Sequence, residues 1–478
     1  MDAPHNYNEW LDQARRFDSL RGYDRWRQED SSSLYDYASI RSRLTRLKKL
    51  RLARDNAGLL FELSEGIHGN MDGMGNQALY RRSRVGTKKL VTDYVDAVVD
   101  ALETLARSTS DGIPFEEKLD FFRRASHCYG RSALMFSGGG VLGYFHLGVV
   151  RALLEHDLLP AVVSGSSAGS IIAAILGSHP EDELLEFFDS DDLVLEAEKE
   201  AHWITRWIWG GNTQMDVTGQ QRLINRWIPD LTFREAFELT GRHINIPVAP
   251  ARMHQSSRLL NAITAPEVCL RSAVMASCAV PGVFPPVTLK ARDFEGRRID
   301  YLPSRQWIDG SITGDLPAKR LGRLYGVNHF IVSQINPAVL PFLKDSGTES
   351  GLLDAPVRVA AATLRESLHV FKGLSKRLFS PLPRLNVLLD MFYSVALQDY
   401  TGDINILPSF RFYNPTKILA HPLEEDVQRL IAEGERAAWP KVAQIKTCTA
   451  ISRKLDEILL DYDDMALREA VPRAVKAS

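Results

Sequence analysis

Residues 162–170 read VVSGSSAGS: a short apolar run, then a cluster of small residues with two serines at its centre. Val162 and Val163 suit a buried strand, and Gly165-Ser166-Ser167-Ala168-Gly169 fits the G-x-S-x-G nucleophile elbow. In that turn small neighbours permit a strained strand-to-helix reversal that presents the middle serine, here Ser167. A chain of this length yields roughly 0.15 such matches by chance, so placement carries more weight than the match itself. Just upstream, residues 132–136 (SALMF) read as another buried strand, and residues 137–148 (SGGGVLGYFHLG) as a glycine-rich turn opening a helix. Two strand–turn–helix units in succession imply a parallel α/β sheet, extended by the later apolar run HFIVSQI at 329–335.

Consecutive glycines let backbone N–H groups approach a negative oxygen, and a helix amino terminus behind them adds a favourable dipole. Gly138, Gly139 and Gly140 therefore suit an oxyanion hole. Gly138, Gly140 and Gly143 also satisfy G-x-G-x-x-G, but a dinucleotide site wants an acid at the end of the next strand. That strand ends in Ser164 and Gly165, so the position is taken by the elbow.

A serine nucleophile needs a base. In the α/β-hydrolase order an aspartate and then a histidine would follow the serine. Here His329 begins an apolar run, His369 lies in a basic helical region and His421 precedes a proline, so none is placed as a partner. Residues 306–317, QWIDGSITGDLP, instead set Asp309 before a glycine after an apolar approach. A carboxylate bonded directly to the serine hydroxyl acts as a base if burial raises its pKa, whereas a plain Asp-Gly turn needs no function. Pattern alone leaves both open.

The glycine-rich SGGGVLG, the elbow GSSAG, the proline break AVPGVFPPV at 279–287 and the turn DGS at 309–311, in that order, resemble the patatin-like phospholipase family, whose members use a Ser-Asp dyad. The helical N-terminal region and GERAAWPKVAQI at 434–445 resemble the fungal and plant triacylglycerol lipases of that type, so the likeness covers most of the chain. The resemblance implies a three-layer α/β core with a mostly parallel sheet, flanked by N- and C-terminal helical regions. It implies Ser167 as nucleophile, Asp309 as base and the Gly138, Gly139 and Gly140 N–H groups as oxyanion donors, with Gly143, Gly165, Gly169 and Gly310 shaping the turns. Leu142 stands where many members carry a basic residue, which removes a charge beside the site without touching the backbone donors.

The implied reaction is hydrolysis of glycerolipid fatty-acyl esters, triacylglycerol first, through an acyl-enzyme and without metal or cofactor. Acyl transfer to a glycerol or lysolipid hydroxyl, and an inactive lipid-surface binding protein, are the alternatives. The expected domains are a helical region at 1–126, a catalytic domain at 127–336 and a helical extension at 337–478.

Composition sets the outer bounds. With 45% hydrophobic and 25% charged residues the chain is an ordinary globular one, and 58 basic against 60 acidic residues give no field favouring nucleic acid. Four cysteines without C-x-x-C spacing suggest reduced thiols rather than disulfides or zinc. The first residues lack a signal-peptide pattern and no run of about 18 apolar residues occurs, so the expectation is an intracellular protein that meets a membrane or lipid droplet from one side. Three segments bear on that contact. The stretch 39–54 is a basic amphipathic helix, readable either as core-packed with a solvated basic face or as an anionic-lipid contact. The basic stretch 358–384 suits a membrane interface or an ordinary bundle, and HWITRWIWGG at 202–211 suits a lid or a packed helix.

Overall fold

The computed structural model describes residues 4–67, 69–109, 112–189, 217–252, 256–281, 283–337, 339–340, 402–410 and 424–477. The tryptophan-rich 202–211, the basic stretch 358–384, His369 and His421 lie outside them. The chain divides into two compact units, each assembled from separate stretches: Met1–Ser132, Gly322–His329 and Trp439–Ser478 form one, Ala133–Leu321 and Phe330–Ala438 the other.

The first unit is helical. Helix Lys89–Arg107 buries Leu90, Val91, Tyr94, Val98, Ala101, Leu102 and Leu105, an apolar stripe at helical spacing that faces the core. Helix Tyr37–Ala53 starts at Asp36, whose carboxylate accepts the N–H groups of Ala38 (3.1 Å) and Ser39 (3.0 Å), and ends at Arg54 in the left-handed region at φ 54°. Its apolar side is used internally, with Ile40, Leu44 and Leu47 buried against Leu59, Leu63 and Val98 in one core. The basic helix is thus core-packed on one side, with Lys48 and Lys49 exposed on the other.

The most deeply buried cation of this unit is Lys88. It is fully buried, its Nζ donating to the carbonyl oxygens of Trp26 (2.8 Å), Glu29 (2.6 Å) and Ser31 (3.4 Å), and it sits 4.6 Å from the centre of the Trp26 ring. A buried ammonium is tolerated only with such a complete set of acceptors.

The second unit is mixed α/β, a mostly parallel sheet flanked by helices, as the sequence predicts. Strands β1 (Arg131–Phe136), β2 (Val162–Gly165), β3 (His243–Pro250), β4 (Arg258–Leu260), β7 (Trp307–Asp309), β8 (Val327–Ser333) and β9 (Ile404–Ile406) form it, while β5 (Lys290–Arg292) and β6 (Arg298–Asp300) make a separate ribbon. The order is β4-β3-β2-β1-β8-β9, with β7 also on β3. Strands β1, β2 and the start of β3 run parallel, as do β8 and β9. Helix Tyr144–Leu154 joins β1 to β2, and helix Ala168–Ser178 follows β2, so β1 and β2 are buried and read as continuous apolar runs.

Beyond Asn245 the character of β3 changes: its second half pairs antiparallel with both β4 and β7, matching Val248 to Asp309. This strand carries Pro247 and Pro250, which sequence rules read as breaking a strand. It was absent from the predicted set, yet it is the strand on which Asp309 is hung.

Replacing Lys88 by methionine leaves three inward-facing carbonyls without a donor, and is expected to lower stability by about 3 kcal/mol. Chemical denaturation of the two proteins checks this; an unchanged midpoint contradicts the buried-cation account.

Candidate active site

Strands β1 and β2 lie in register with Phe136 opposite Gly165, so both chains leave the sheet's carboxyl edge side by side. Such an edge of a parallel sheet is where α/β proteins gather their functional loops. The two exits are tied together: the Ser166 N–H donates to the Phe136 carbonyl at 3.3 Å.

After β2 the backbone reverses at Ser167, which holds φ 51° and ψ −125° directly before helix Ala168–Ser178. A non-glycine residue rarely adopts a positive φ, and the strain is held by its surroundings. A Cβ on Gly165 would sit 1.9 Å from the Gly169 carbonyl oxygen, and one on Gly169 would sit 2.4 Å from that of Phe136. Only glycine allows both approaches. The Ser167 N–H donates to Ser277 Oγ (3.1 Å), which donates to the Pro247 carbonyl (3.0 Å), and the Ser167 carbonyl accepts from Ser170 N–H and Oγ at 2.8 and 2.6 Å. Ser277 ends the helix Leu270–Ser277, just before the predicted proline break.

Asp309 arrives from the opposite direction as the last residue of β7, its N–H bonded to the Ala279 carbonyl at 3.0 Å. It is only 1% exposed. Its carboxyl accepts the Ser311 N–H at 2.8 Å, and the Ser311 and Ser167 hydroxyls lie close enough to favour its charged form. Burial, the dominant influence, pushes it up from 3.8 to about 6 in spite of these donors. Gly310 belongs to the same turn, packed so that a Cβ would meet the Pro247 carbonyl oxygen at 2.1 Å.

The glycine-rich turn closes over the elbow. A Cβ on Gly138 would lie 3.2 Å from the Ser167 Cβ, one on Gly139 would strike the Ile335 side chain at 2.7 Å, and one on Gly143 would lie 2.9 Å from the Ala168 Cβ. Gly140 takes φ 60°. The expectation of three open oxyanion donors needs a correction, because the Gly138 N–H is bonded at 2.9 Å to an Asp315 carboxylate oxygen. Among the described residues the Gly139 and Gly140 N–H groups have no protein acceptor.

Sequence reading passed over three of the surrounding groups. Asp315 is fully buried; its carboxyl accepts from the Ser166 hydroxyl as well as from Gly138, and from Asn336 Nδ2 at 3.3 Å. Burial pushes it up to about 7. His146 is also fully buried, with Nε2 on the Ser137 carbonyl (3.0 Å) and Nδ1 on Ser333 Oγ (2.7 Å); burial drives it down to about 4, so its ring is neutral. Ser277 is the third. His329 lies on β8 with Nδ1 on Ser132 Oγ at 3.0 Å. Among the described residues no histidine is a hydrogen-bond partner of Ser167.

Residues 134–321 match the family model described as patatin-like phospholipase, and residues 1–127 match one described as a domain of unknown function, DUF3336. Triacylglycerol lipase ptl3 of Schizosaccharomyces pombe is 32% identical, with 94% of each chain covered. The chain belongs to the patatin-like phospholipase family. Two further members similar to it are triacylglycerol lipase 4 of Saccharomyces cerevisiae (35% identical, 95% of this chain and 52% of that one) and triacylglycerol lipase SDP1L of Arabidopsis thaliana (32%, 100% and 60%). The chain thus spans about half to three fifths of the length of these two. Relative to the basic residue the family resemblance suggests at position 142, Leu142 is fully buried and brings no charge to the site.

The raised Asp309 carboxyl sets a pH dependence of stability. Because its folded value, about 6, exceeds the 3.8 of an ordinary aspartate, the folded state binds more protons between those values, and stability is lost as pH rises through them. Asp309→Asn removes that loss, so the variant is expected to be more stable than the parent by roughly 1–3 kcal/mol at pH 8, with the gap closing toward pH 4. Unfolding curves across that range test it; a gap independent of pH contradicts it.

Proposed function

We propose that this chain is a serine acyl-ester hydrolase acting on glycerolipids, with Ser167 as nucleophile and Asp309 as its base. The observation that carries the reading is a serine on a strained positive-φ turn beside a buried carboxyl whose pKa burial raises, with the serine hydroxyl among the groups that favour its charged form. A carboxylate near 6 is ionised at neutral pH and is still a stronger base than an ordinary one. As the Ser167 oxygen attacks an ester carbonyl, its proton passes to Asp309. The carbonyl oxygen becomes an oxyanion, and the unoccupied N–H groups of Gly139 and Gly140 stabilise it. Collapse breaks the ester bond; the leaving alcohol takes the proton from Asp309, and the acyl group remains on Ser167. Water then passes a proton to Asp309 as it attacks the acyl-enzyme; collapse expels the Ser167 oxygen, which takes that proton back from Asp309, and the fatty acid is released.

The three similar proteins named triacylglycerol lipase support a neutral glycerolipid as substrate. A glycerol or lysolipid hydroxyl in place of that water makes the same site a transacylase. In this reading residues 127–336 carry catalysis and the flanking stretches 1–126 and 337–478 serve substrate access and the lipid surface.

Contact with a membrane or lipid-droplet surface is supported by the exposed end of helix Tyr37–Ala53. Arg41, Arg46 and Arg51 of that helix are paired with Asp30, Glu62 and Asp100. Lys48, Lys49 and Arg54 have no ion-pair partner among the described residues, and they surround Leu52, which is 87% exposed. An apolar tip within a basic ring suits an anionic lipid interface. No helix among the described residues is long and apolar enough to cross a membrane.

Fatty-acid release from triolein, diolein and phosphatidylcholine vesicles is expected for the parent, rising with pH about a midpoint near 6, and lost by at least about 10³-fold in Ser167→Ala and Asp309→Asn. Release that persists in Ser167→Ala overturns the assignment. The double variant Lys48→Glu with Arg54→Glu is expected to reduce co-flotation with phosphatidylserine vesicles while leaving hydrolysis of a soluble short-chain ester unchanged; undiminished flotation contradicts the surface reading.

A further inference from the structure

The geometry points to Asp315 and His146 as positioning residues that clamp the peptide joining Ser137 to Gly138 from its two edges, and so aim the Gly139 and Gly140 N–H groups beside Ser167. This rests on the hydrolase reading above.

A trans peptide is planar, with its C=O and N–H on opposite edges. Here the Ser137 carbonyl accepts from His146 Nε2 at 3.0 Å, and the Gly138 N–H donates to Asp315 Oδ1 at 2.9 Å. Holding both edges fixes the rotation of that plane. The need for it is physical: three consecutive glycines have the largest conformational freedom of any backbone and no side chains with which to anchor themselves.

The two clamps are themselves held. The Ser137 carbonyl can only accept, so the His146 proton is on Nε2, and Nδ1 accepts from the Ser333 hydroxyl at 2.7 Å. Asp315 takes the Ser166 hydroxyl on the same oxygen as Gly138 and Asn336 Nδ2 on the other. One carboxyl therefore links the glycine-rich turn, the residue before the nucleophile and the loop after β8. The turn packs so close to the elbow that a Cβ on Gly138 would come within 3.2 Å of the Ser167 Cβ, so drift of the turn displaces the oxyanion donors relative to the nucleophile. Asp315 touches no substrate atom in this scheme; its role is to accept the hydrogen bonds of the turn and the elbow.

The test compares Asp315→Ala, which removes the acceptor, with Asp315→Asn, which keeps one side-chain oxygen, using a soluble p-nitrophenyl ester. For Asp315→Ala we expect kcat to fall about 10²-fold, with KM changed less than about twofold. Affinity for a trifluoromethyl ketone, which forms the oxyanion on Ser167, should fall in parallel with kcat/KM. Asp315→Asn should recover kcat to within about fivefold of the parent. Single-residue hydrogen–deuterium exchange supplies a readout that needs no activity: the Gly138 amide should exchange slowly in the parent and in Asp315→Asn, and about tenfold faster or more in Asp315→Ala. If Asp315→Asn is as inactive as Asp309→Asn, the charge and not the acceptor matters, and the clamp is wrong. Unchanged Gly138 exchange in a folded Asp315→Ala overturns it as well. A parent that binds lipid but hydrolyses nothing overturns the hydrolase reading, while the exchange measurement still decides the clamp.

Discussion

An aspartate in water, with a pKa of about 3.9, is too weak a base to help a serine hydroxyl attack an ester. At the end of β7, buried to 1% exposure, Asp309 is pushed up to about 6 although it accepts the Ser311 N–H and the Ser311 and Ser167 hydroxyls favour its charged form. Everything else in the proposed mechanism depends on this desolvation. It lets one carboxyl carry a proton both ways without an imidazole between it and the nucleophile. It also obliges the fold to bury an acid that is ionised at neutral pH, a local loss of stability that the rest of the sheet must offset.

The sheet achieves that placement by a change of direction within β3. Up to Asn245 this strand extends the parallel sheet that delivers Ser167; from Ile246 onward it pairs antiparallel with β4 and β7 and delivers Asp309. Serine and acid are thus fixed by two ends of one strand system. Ser277, bonded to both the Ser167 N–H and the Pro247 carbonyl, ties the elbow to β3 directly. Asp315, a second buried acid, lies on the other side of the elbow, against the glycine-rich turn. Two carboxyls in one small volume have distinct surroundings: Asp309 lies at the end of β7 and accepts the Ser311 N–H, whereas Asp315 accepts the Gly138 N–H, the Ser166 hydroxyl and Asn336 Nδ2.

What the sequence made legible was local chemistry. GSSAG and SGGGVLG declare themselves because glycine at those positions answers constraints within a few residues, such as the approach of Gly169 to the Phe136 carbonyl. Asp309 was visible as an Asp-Gly turn, and its role came from resemblance, since nothing in the pattern distinguishes a buried turn acid from a surface one. Asp315, six residues on, gave no signal, because its partners Gly138, Ser166 and Asn336 converge only across the sheet edge. His146 reads as one polar residue in an apolar helix. β3 was hidden by its prolines, which are tolerated where the pairing changes. The commitment of the Gly138 N–H to Asp315 is likewise a tertiary fact, so three glycines in sequence overstated the number of free donors.

The central claim is that Ser167 is activated by Asp309 alone. The most direct test is labelling by a fluorophosphonate probe followed by peptide mapping, in the parent, in Asp309→Asn and in chains with His146, His329, His369 or His421 replaced. The account predicts a single adduct on Ser167, its rate of formation reduced about 10²-fold or more in Asp309→Asn and retained when His329, His369 or His421 is removed. Labelling that survives Asp309→Asn but vanishes with one of those three histidines would mean that the base is an imidazole, and the two-residue site would have to be abandoned.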